Sequence, residues 1–211
     1  LAKSLAEDYT IDNSLRFNDN DSAYLSRTFL AGDTTSWTFS CWTKRGNDVA
    51  SGESGAQKMF GAMIDGSNVS DINFWTGDTL YIEEYQGGST AGLLKTTAVY
   101  RDYSAWYHIV VVWDSDNVTS GDRYRLYVNG DRVTDFVTET QPTSGRVSAT
   151  NAAGTHNIGK QNTDEYYDGY LAEMYFIDGQ SLTADSFGEL NAATNQWIPI
   201  DASGLTFGTN G

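Results

Sequence analysis

The sequence predicts an all-β fold, a two-sheet antiparallel jelly-roll sandwich with one short helix near the C-terminus. Short runs of Thr, Val, Ile, Tyr, Phe and Trp recur along the 211 residues, and clusters of Gly, Asn, Asp and Ser separate them. Runs of this kind, bounded by turn residues, are typical of a β-sandwich. A chain of this length can build one sizeable core, and no internal repeat or interdomain linker is visible. We therefore expect a single domain.

The predicted strands follow these runs in chain order. They are Ser14–Phe17, Ala23–Ser26, Ser36–Lys44, Gln57–Ile64, Asp71–Trp75, Thr79–Tyr85, Leu93–Tyr100, Trp106–Asp114, Arg123–Asn129, Arg132–Val137, His156–Lys160 and Gly169–Ile177. Asn129 and Gly130 favour a tight hairpin, because both central residues of a type I′ turn need a positive φ. Alternation within the strands predicts a core of Phe39, Cys41, Ile109, Val111, Trp113, Leu126, Val128, Leu171 and Phe176.

A short helix is predicted in SLTADSFGEL, at 181–190. Thr183 can cap it, and Asp185 lies in the first turn, where the helix dipole favours an anion. Phe187 and Leu190 would share the face that closes one end of the core. We expect residues 1–13 to form a lead-in segment, 14–198 the jelly-roll domain and 199–211 a C-terminal tail or linker. Loops are expected at Ala50–Ala56, Gly87–Gly92 and Thr138–Thr155.

The composition argues against several partners. The formal net charge is −15, which repels phosphate backbones and anionic membrane surfaces, so no nucleic acid is expected as a partner. No apolar run approaches the roughly 18 residues of a membrane-spanning helix, so no membrane insertion is expected. The opening LAKSLAEDYT does not have the layout of a signal peptide. Cys41 is the only cysteine, which excludes an internal disulfide and suggests a small buried apolar residue.

Five segments, in this order, resemble LamG-like (laminin G / concanavalin A-like) jelly-roll domains. They are SLRFNDNDSAYLSRTF, SWTFSCWTKRG, WYHIVVVWD, RLYVNGDRV and YDGYLAEMYFIDGQSLT. The resemblance covers the chain from about Ser14 to about Trp197. The phrases YLSRTF, SFGEL and WIP are similar to LamG-like domains of marine bacteriophage tail-fibre and other virion proteins. This implies a place on a virion, at the phage tail or capsid surface, or alternatively an extracellular or cell-surface location.

No motif for catalysis is visible, and we expect the chain not to be an enzyme. Glycosidases need a pair of carboxylates at a set separation. Glu83 and Glu84 are adjacent, so on a strand they point to opposite faces. His108 alternates with Val110 and Val112, which is typical of a structural position on a half-buried strand.

A carbohydrate-binding patch is predicted on two neighbouring strands. Its residues are Asn73, Trp75, Tyr81, Glu83 and Tyr85, which alternation places on one face, away from Ile72, Phe74, Leu80 and Ile82. Aromatic faces flanked by polar side chains are suited to stacking on sugar rings and bonding their hydroxyls. The alternative is that these aromatics pack under loops or against another subunit.

A calcium site is predicted near Asp19, Asp21 and Asp168. In this fold class the first and last strands pair, which would bring the loop after Phe17 close to Asp164, Glu165 and Asp168. Carboxylate oxygens suit Ca²⁺. The alternative is that these are solvated turn aspartates.

Three functions remain open at this point. The leading one is a non-enzymatic adhesion module of a virion or tail that binds a host-surface glycan or receptor. Its partners would include other virion subunits, copies of the same chain among them. The second is a purely structural virion decoration or assembly domain without a small ligand, and the third is a glycan-active hydrolase or lyase. A fold of this kind hosts all three, so the site must decide between them.

Overall fold

The computed structural model describes residues 9–47, 56–161 and 165–211. Within these residues two large antiparallel sheets pack as a jelly-roll-like sandwich with almost no helix, which confirms the predicted all-β class. The strands are β1 (Leu15–Phe17), β2 (Leu25–Phe29), β3 (Ser36–Arg45), β4 (Gln57–Asp65), β5 (Asn68–Trp75), β6 (Thr79–Gln86), β7 (Ser89–Val99), β8 (Tyr107–Asp114), β9 (Tyr124–Val128), β10 (Asp131–Arg132), β11 (Phe136–Thr140), β12 (Gly154–Ile158), β13 (Gly169–Asp178), β14 (Gly188–Leu190) and β15 (Trp197–Pro199).

The strand order defines two sheets and a small accessory pair. The six-stranded sheet has the order β1-β13-β3-β8-β9-β10, and the seven-stranded sheet has the order β11-β7-β6-β5-β4-β12-β2. β14 and β15 form a separate hairpin-like pair. The first strand pairs antiparallel with β13, with Leu15 opposite Leu171, as the sequence predicts. At the β9–β10 hairpin, Asn129 and Gly130 have φ values of 51° and 85°, as a type I′ turn requires.

The core lies between the inner faces of the two sheets. Alternation on β3 and β8 buries Phe39, Cys41, Ile109, Val111 and Trp113 completely. Of the other predicted core residues, Leu126, Leu171 and Phe176 are buried and Val128 is partly buried. The indole rings of Trp37 and Trp113 stack at the centre, with centroids 6.4 Å apart.

A second apolar cluster covers the outer face of the six-stranded sheet. Val110, Val112 and Ile177 point outward from this sheet and meet Phe187 and Ala202 of the C-terminal segment. Residues 199–211, predicted to be a tail or linker, therefore pack against the domain. The side chain of Asn210 is buried and bonds the backbone of Leu30 and the amide of Asn151.

The predicted helix at 181–190 is wrong. In this segment the structure has a single 3-10 turn, Ala184–Ser186, and Thr183 makes no side-chain cap. Phe187 is buried against the outer face of the six-stranded sheet, whereas Leu190 is exposed, so the two do not share an apolar face. From Gly188 onward the chain is extended and pairs with β15. A cap signal was present, but strand pairing took the residues that would have continued the helix.

Two predicted loops are shorter than expected. β7 begins at Ser89, because Gly87 and Gly88, both with positive φ, close a tight turn after Gln86. β11 and β12 occupy the two ends of the predicted loop Thr138–Thr155. The predicted loop Ala50–Ala56 lies, except for Ala56, outside the described residues. No helix in the described part of the chain is long and apolar enough to cross a membrane.

Candidate functional site

The predicted patch lies on the outer face of the seven-stranded sheet. β5 and β6 pair antiparallel, with Asn73 opposite Tyr81 and Trp75 opposite Thr79. Ile72, Phe74, Leu80 and Ile82 are buried on the inner face, as alternation predicts. The opposite side chains consequently point away from the core.

The patch is less exposed than the sequence suggested. Trp75, Tyr81, Glu83 and Tyr85 are half-buried, and Asn73 is completely buried. Asn73 lies between Lys58 of β4 and Tyr81 of β6 in the strand register, so its neighbours cover it. Its amide nitrogen donates to Oδ1 of Asp71, while its Oδ1 is buried without a hydrogen-bonding partner among the described residues.

Two aromatic rings form the apolar part of the site. Trp75 and Tyr81 stack with centroids 5.0 Å apart and an interplanar angle of 28°. Nζ of Lys58 lies 5.8 Å from the Trp75 ring centroid, at the outer limit of a cation–π contact. The Tyr81 hydroxyl donates to Oε2 of Glu83 at 2.9 Å, and burial, the largest cause, raises the pKa of that hydroxyl. The rings are therefore held in fixed positions by the polar groups around them.

Glu83 is held from two sides, and Tyr85 belongs to a neighbouring turn. Thr90 Oγ1 donates to Oε1 of Glu83 at 2.9 Å, opposite the bond from Tyr81. The Tyr85 hydroxyl donates to the carbonyl of Gly88 at 2.7 Å. Tyr85 thus fastens the β6–β7 turn, at the margin of the patch.

Sequence reasoning missed a buried ion pair in the same place. Nζ of Lys58 lies 2.8 Å from Oδ2 of Asp71 and 3.4 Å from Oε2 of Glu165. Asp71 is opposite Glu83 in the register, beside Asn73. Burial, the largest cause, raises the pKa of the Asp71 carboxyl, and the Lys58 ammonium opposes that shift. The signal was present, since Asp71 alternates with Asn73 and Trp75 and so shares their face.

We call Lys58, Asp71, Asn73, Trp75, Tyr81 and Glu83 the outer patch. Both of its carboxylates accept hydrogen bonds from neighbouring side chains, which fixes their oxygens as acceptors. The stacked rings provide an apolar surface, and the half-buried Glu83 provides carboxylate oxygens at its edge. An arrangement of this kind suits a flat polyhydroxylated ligand, which needs both an apolar contact and several hydrogen bonds.

His108 lies on the other sheet, in a buried polar chain. Its Nε2 lies 2.9 Å from Oγ of Ser40, and the indole Nε1 of Trp197 donates to its Nδ1 at 2.9 Å. An indole N–H can only donate, so Nδ1 is unprotonated and Nε2 carries the proton. Ser40 consequently accepts from His108, the reverse of what a serine nucleophile needs from its base. Burial lowers the pKa of His108 to about 3.

The residues of the predicted calcium site are placed as follows. Oδ1 of Asp168 forms an ion pair with Arg16 at 2.6 Å. The carboxylates of Asp19 and Asp21 accept hydrogen bonds from Asn20 and Asn18 in their own turn. In the ranges 9–47, 56–161 and 165–211, no three His, Cys, Asp or Glu side chains are grouped as a metal site requires. Asp164 lies outside the described residues, and calcium binding stays a prediction.

Comparisons with known proteins agree with this architecture. No curated protein matches the sequence. The native heptameric SAP-like pentraxin from Limulus polyphemus is similar, with a TM-score of 0.52 and 18% identity over 76% of this chain and 71% of that chain. The IT-sialidase CBM40 of Ruminococcus gnavus has a TM-score of 0.50 and 15% identity, over 77% of this chain and 95% of that one. At these identities the likeness shows a shared fold.

A family model assigns the chain more specifically than the likeness to solved structures does. The model described as Laminin_G_3, concanavalin A-like lectin/glucanases superfamily, matches residues 17–186. Apart from Leu15 and Arg16 of β1, this range includes both large sheets, and it includes every residue of the outer patch. The chain therefore belongs to the Laminin_G_3 family of the concanavalin A-like lectin/glucanase superfamily.

Proposed function

We propose that this chain is a non-catalytic glycan-binding module whose outer patch binds a saccharide. The stacked pair of Trp75 and Tyr81, bordered by fixed oxygen acceptors, is the observation that carries the proposal. The apolar face of a sugar ring would lie on these rings, and its hydroxyls would donate to Glu83. The fold shared with a sialidase CBM40, a carbohydrate-binding module, is consistent with this role.

The charges of the patch favour a neutral glycan. Asp71, Glu83 and Glu165 contribute three carboxylates, against two ammonium groups: Lys58, which is engaged by two of these carboxylates, and Lys95, the register partner of Tyr81. The whole chain adds a formal charge of −15. A sialylated, uronic or sulfated glycan would be repelled by this field, so neutral hexose chains are the expected ligands.

A glycan panel with two variants tests the proposal. Trp75→Ala and Tyr81→Ala should each weaken glycan binding at least tenfold, because each removes half of the stacking surface. Val118→Ala is the matched control, since Val118 is 97% exposed and distant in the fold. Calorimetry measures the binding. The oligomeric state of each variant should be compared with that of the wild type in parallel.

The same variants separate the proposal from a structural role. If both variants bind as the wild type does, the outer patch is not the glycan site. If the variants still bind glycan but differ from the wild type in oligomeric state, the aromatic pair belongs to an interface between subunits, as a decoration or assembly domain would require. Release of reducing ends from a neutral glycan by the wild type would instead favour a hydrolase or lyase.

We further propose that the module acts on a virion, as an adhesion domain for a host-surface glycan or receptor. The support is the resemblance of YLSRTF, SFGEL and WIP to LamG-like domains of phage tail fibres and other virion proteins. Mass spectrometry of purified particles should find peptides of this chain at a stoichiometry of a structural protein. Their absence from particles would leave an extracellular or cell-surface adhesin as the alternative.

A further inference from the structure

A pocket of about 390 Å³ lies on the sheet opposite the outer patch. Two strands supply its floor, since Trp42 of β3 and Ala172 of β13 are register partners on the outer face of the six-stranded sheet. Trp106 and Pro199 form its sides, and residues 9–14 form its rim. We call this cavity the Trp42 pocket. Its volume lies in the range of small-molecule sites, which are mostly apolar with a few polar groups.

Trp42 gives the pocket a rigid aromatic surface, which we call the aromatic wall. The Trp42 ring stacks on His108 with centroids 4.9 Å apart, and His108 is fixed by Ser40 and Trp197 through the bonds described above. Burial keeps His108 neutral at physiological pH, so this wall carries no charge there. A fixed aromatic surface binds a flat ligand without the entropy cost of ordering its own side chains.

The rim offers hydrogen-bonding groups that the protein does not use. Among the described residues, the side chains of Thr10, Asp12 and Asn13 make no hydrogen bond or ion pair. The Tyr9 hydroxyl, in contrast, donates to Oε1 of Glu173 at 3.0 Å and ties this segment to β13. The segment is thus anchored at one point and leaves a carboxylate, an amide and a hydroxyl free beside the aromatic wall.

We infer that the Trp42 pocket is a second binding site, for one or about two rings of a neutral saccharide. Trp106 is 36% exposed, and its indole provides a face on which a pyranose ring can stack. Asp12 and Asn13 can bond adjacent hydroxyls, as an acceptor and as a donor–acceptor pair. This site is independent of the proposed outer patch, and with both sites the chain would engage glycans on two opposite faces.

Titration of methyl glycosides, followed by the indole N–H signals of isotope-labelled protein, tests the inference. Six tryptophans give separate probes, and Trp42 and Trp106 report the pocket while Trp75 reports the outer patch. Methyl glucoside, galactoside and mannoside should be added up to millimolar concentrations. We expect at least one of them to shift the Trp42 and Trp106 signals in a saturable manner.

Two variants give the quantitative result. Trp106→Ala and Asn13→Ala should each weaken that binding about tenfold or more, which corresponds to one stacking or hydrogen-bonding contact. Asn13 is exposed and unbonded, so its substitution leaves folding unaffected. Trp75→Ala is the matched control and should not change the shifts at Trp42.

The outcomes separate the two sites. Shifts confined to Trp75, or shifts at Trp42 that survive both pocket variants, would overturn the inference and leave the proposed function intact. Shifts at Trp42 and Trp106 that persist in Trp75→Ala would support it, whether or not the outer patch binds. If no glycoside shifts either pocket indole, the Trp42 pocket does not bind pyranosides.

Discussion

The indole of Trp197 donates a hydrogen bond to Nδ1 of His108 at 2.9 Å, which joins the C-terminal segment to the outer face of the six-stranded sheet. The contact is tightly packed, because a Cβ on Gly130 or Gly188 would come within 2.6 Å of the Trp197 ring. The bond has two consequences. It fixes the tautomer of His108. It also holds the chain around Trp197, at the predicted domain boundary, against the six-stranded sheet.

Replacing Trp197 by Phe should destabilise the protein by about 1–3 kcal/mol, because Nδ1 of His108 would be left buried without a donor. Urea unfolding of both proteins measures the loss. Trp106→Phe is the control, since Trp106 is partly exposed and makes no hydrogen bond among the described residues. Equal unfolding free energies for the two variants would show that the bond to His108 contributes nothing.

Glu84 should make stability fall as the pH rises. Its carboxyl is buried on the inner face, where the backbone N–H of Ala149 and the hydroxyl of Thr150 donate to it. Burial, the largest cause, raises its pKa from 4.5 to about 8. Between these values the folded chain holds a proton that the unfolded chain releases, so each pH unit lowers the folding equilibrium constant by up to about tenfold.

Glu84→Gln mimics the protonated carboxyl and isolates this effect. Groups that do not interact with Glu84 titrate alike in both proteins, so the pH dependence of the difference in unfolding free energy reports mainly Glu84. We expect the variant to gain stability relative to the wild type between pH 5 and pH 8, measured by urea unfolding at each pH. Parallel profiles over that range would mean that the buried carboxyl titrates normally.

A single methyl group at Gly92 should also be costly. A Cβ there would lie 2.7 Å from Cζ3 of Trp113 and 3.0 Å from Cδ1 of Tyr124, so rigid core rings would have to move. Overpacking of this kind costs about 1–3 kcal/mol. Gly66→Ala is the control, because nothing lies within 4 Å of its Cβ position. Thermal unfolding should separate the two variants, and similar melting temperatures would show that the core around Trp113 can yield.

Alternation of side chains along the strands predicts which residues are buried. Phe39 and Cys41, like Ile109 and Val111, have period-two spacing in long β-rich runs, so each pair shares one face of its strand. The same rule placed Trp75 and Tyr81 on one outer face. The rule assigns a face but not an exposure, so it could not show that neighbouring strands bury Asn73.

What the sequence could not show depends on long-range contacts. The cap signal at Thr183 depends on neighbouring residues in the sequence. The pairing of Gly188 with Pro199 and the packing of Phe187 in one cluster with Val110 and Val112 depend on residues further along the chain. Lys58 and Asp71 meet through the pairing of β4 with β5, whereas Glu165, which joins Lys58, comes from the segment before β13, far along the chain. The Trp42 pocket likewise combines residues from both ends of the chain.

The calcium hypothesis predicts that EDTA lowers the melting temperature, because a ligand that binds only the folded state stabilises it. Asp21→Ala should remove the difference between melting with EDTA and melting with added Ca²⁺. Asp131→Ala is the control, because it removes an exposed carboxylate from β10, at the opposite edge of the six-stranded sheet from β1. Identical melting curves with and without EDTA would leave Asp168 as the partner of Arg16 and the other aspartates as turn residues.

The ion pair of Lys58 and Asp71 should be strongly coupled. Both side chains are more than nine-tenths buried, and the removal of either partner leaves a buried charge. Lys58→Met or Asp71→Asn alone should therefore destabilise the protein by about 3 kcal/mol, with Lys58→Met the worse, because Asp71 has no second cation among the described residues and Lys58 keeps Glu165. The double variant removes both charges and should lose clearly less than the sum, with a coupling above about 1 kcal/mol. Urea unfolding of the four proteins gives this coupling. Additive losses would mean that water screens the pair, and the fixed position of Asp71 in the outer patch would then need another cause.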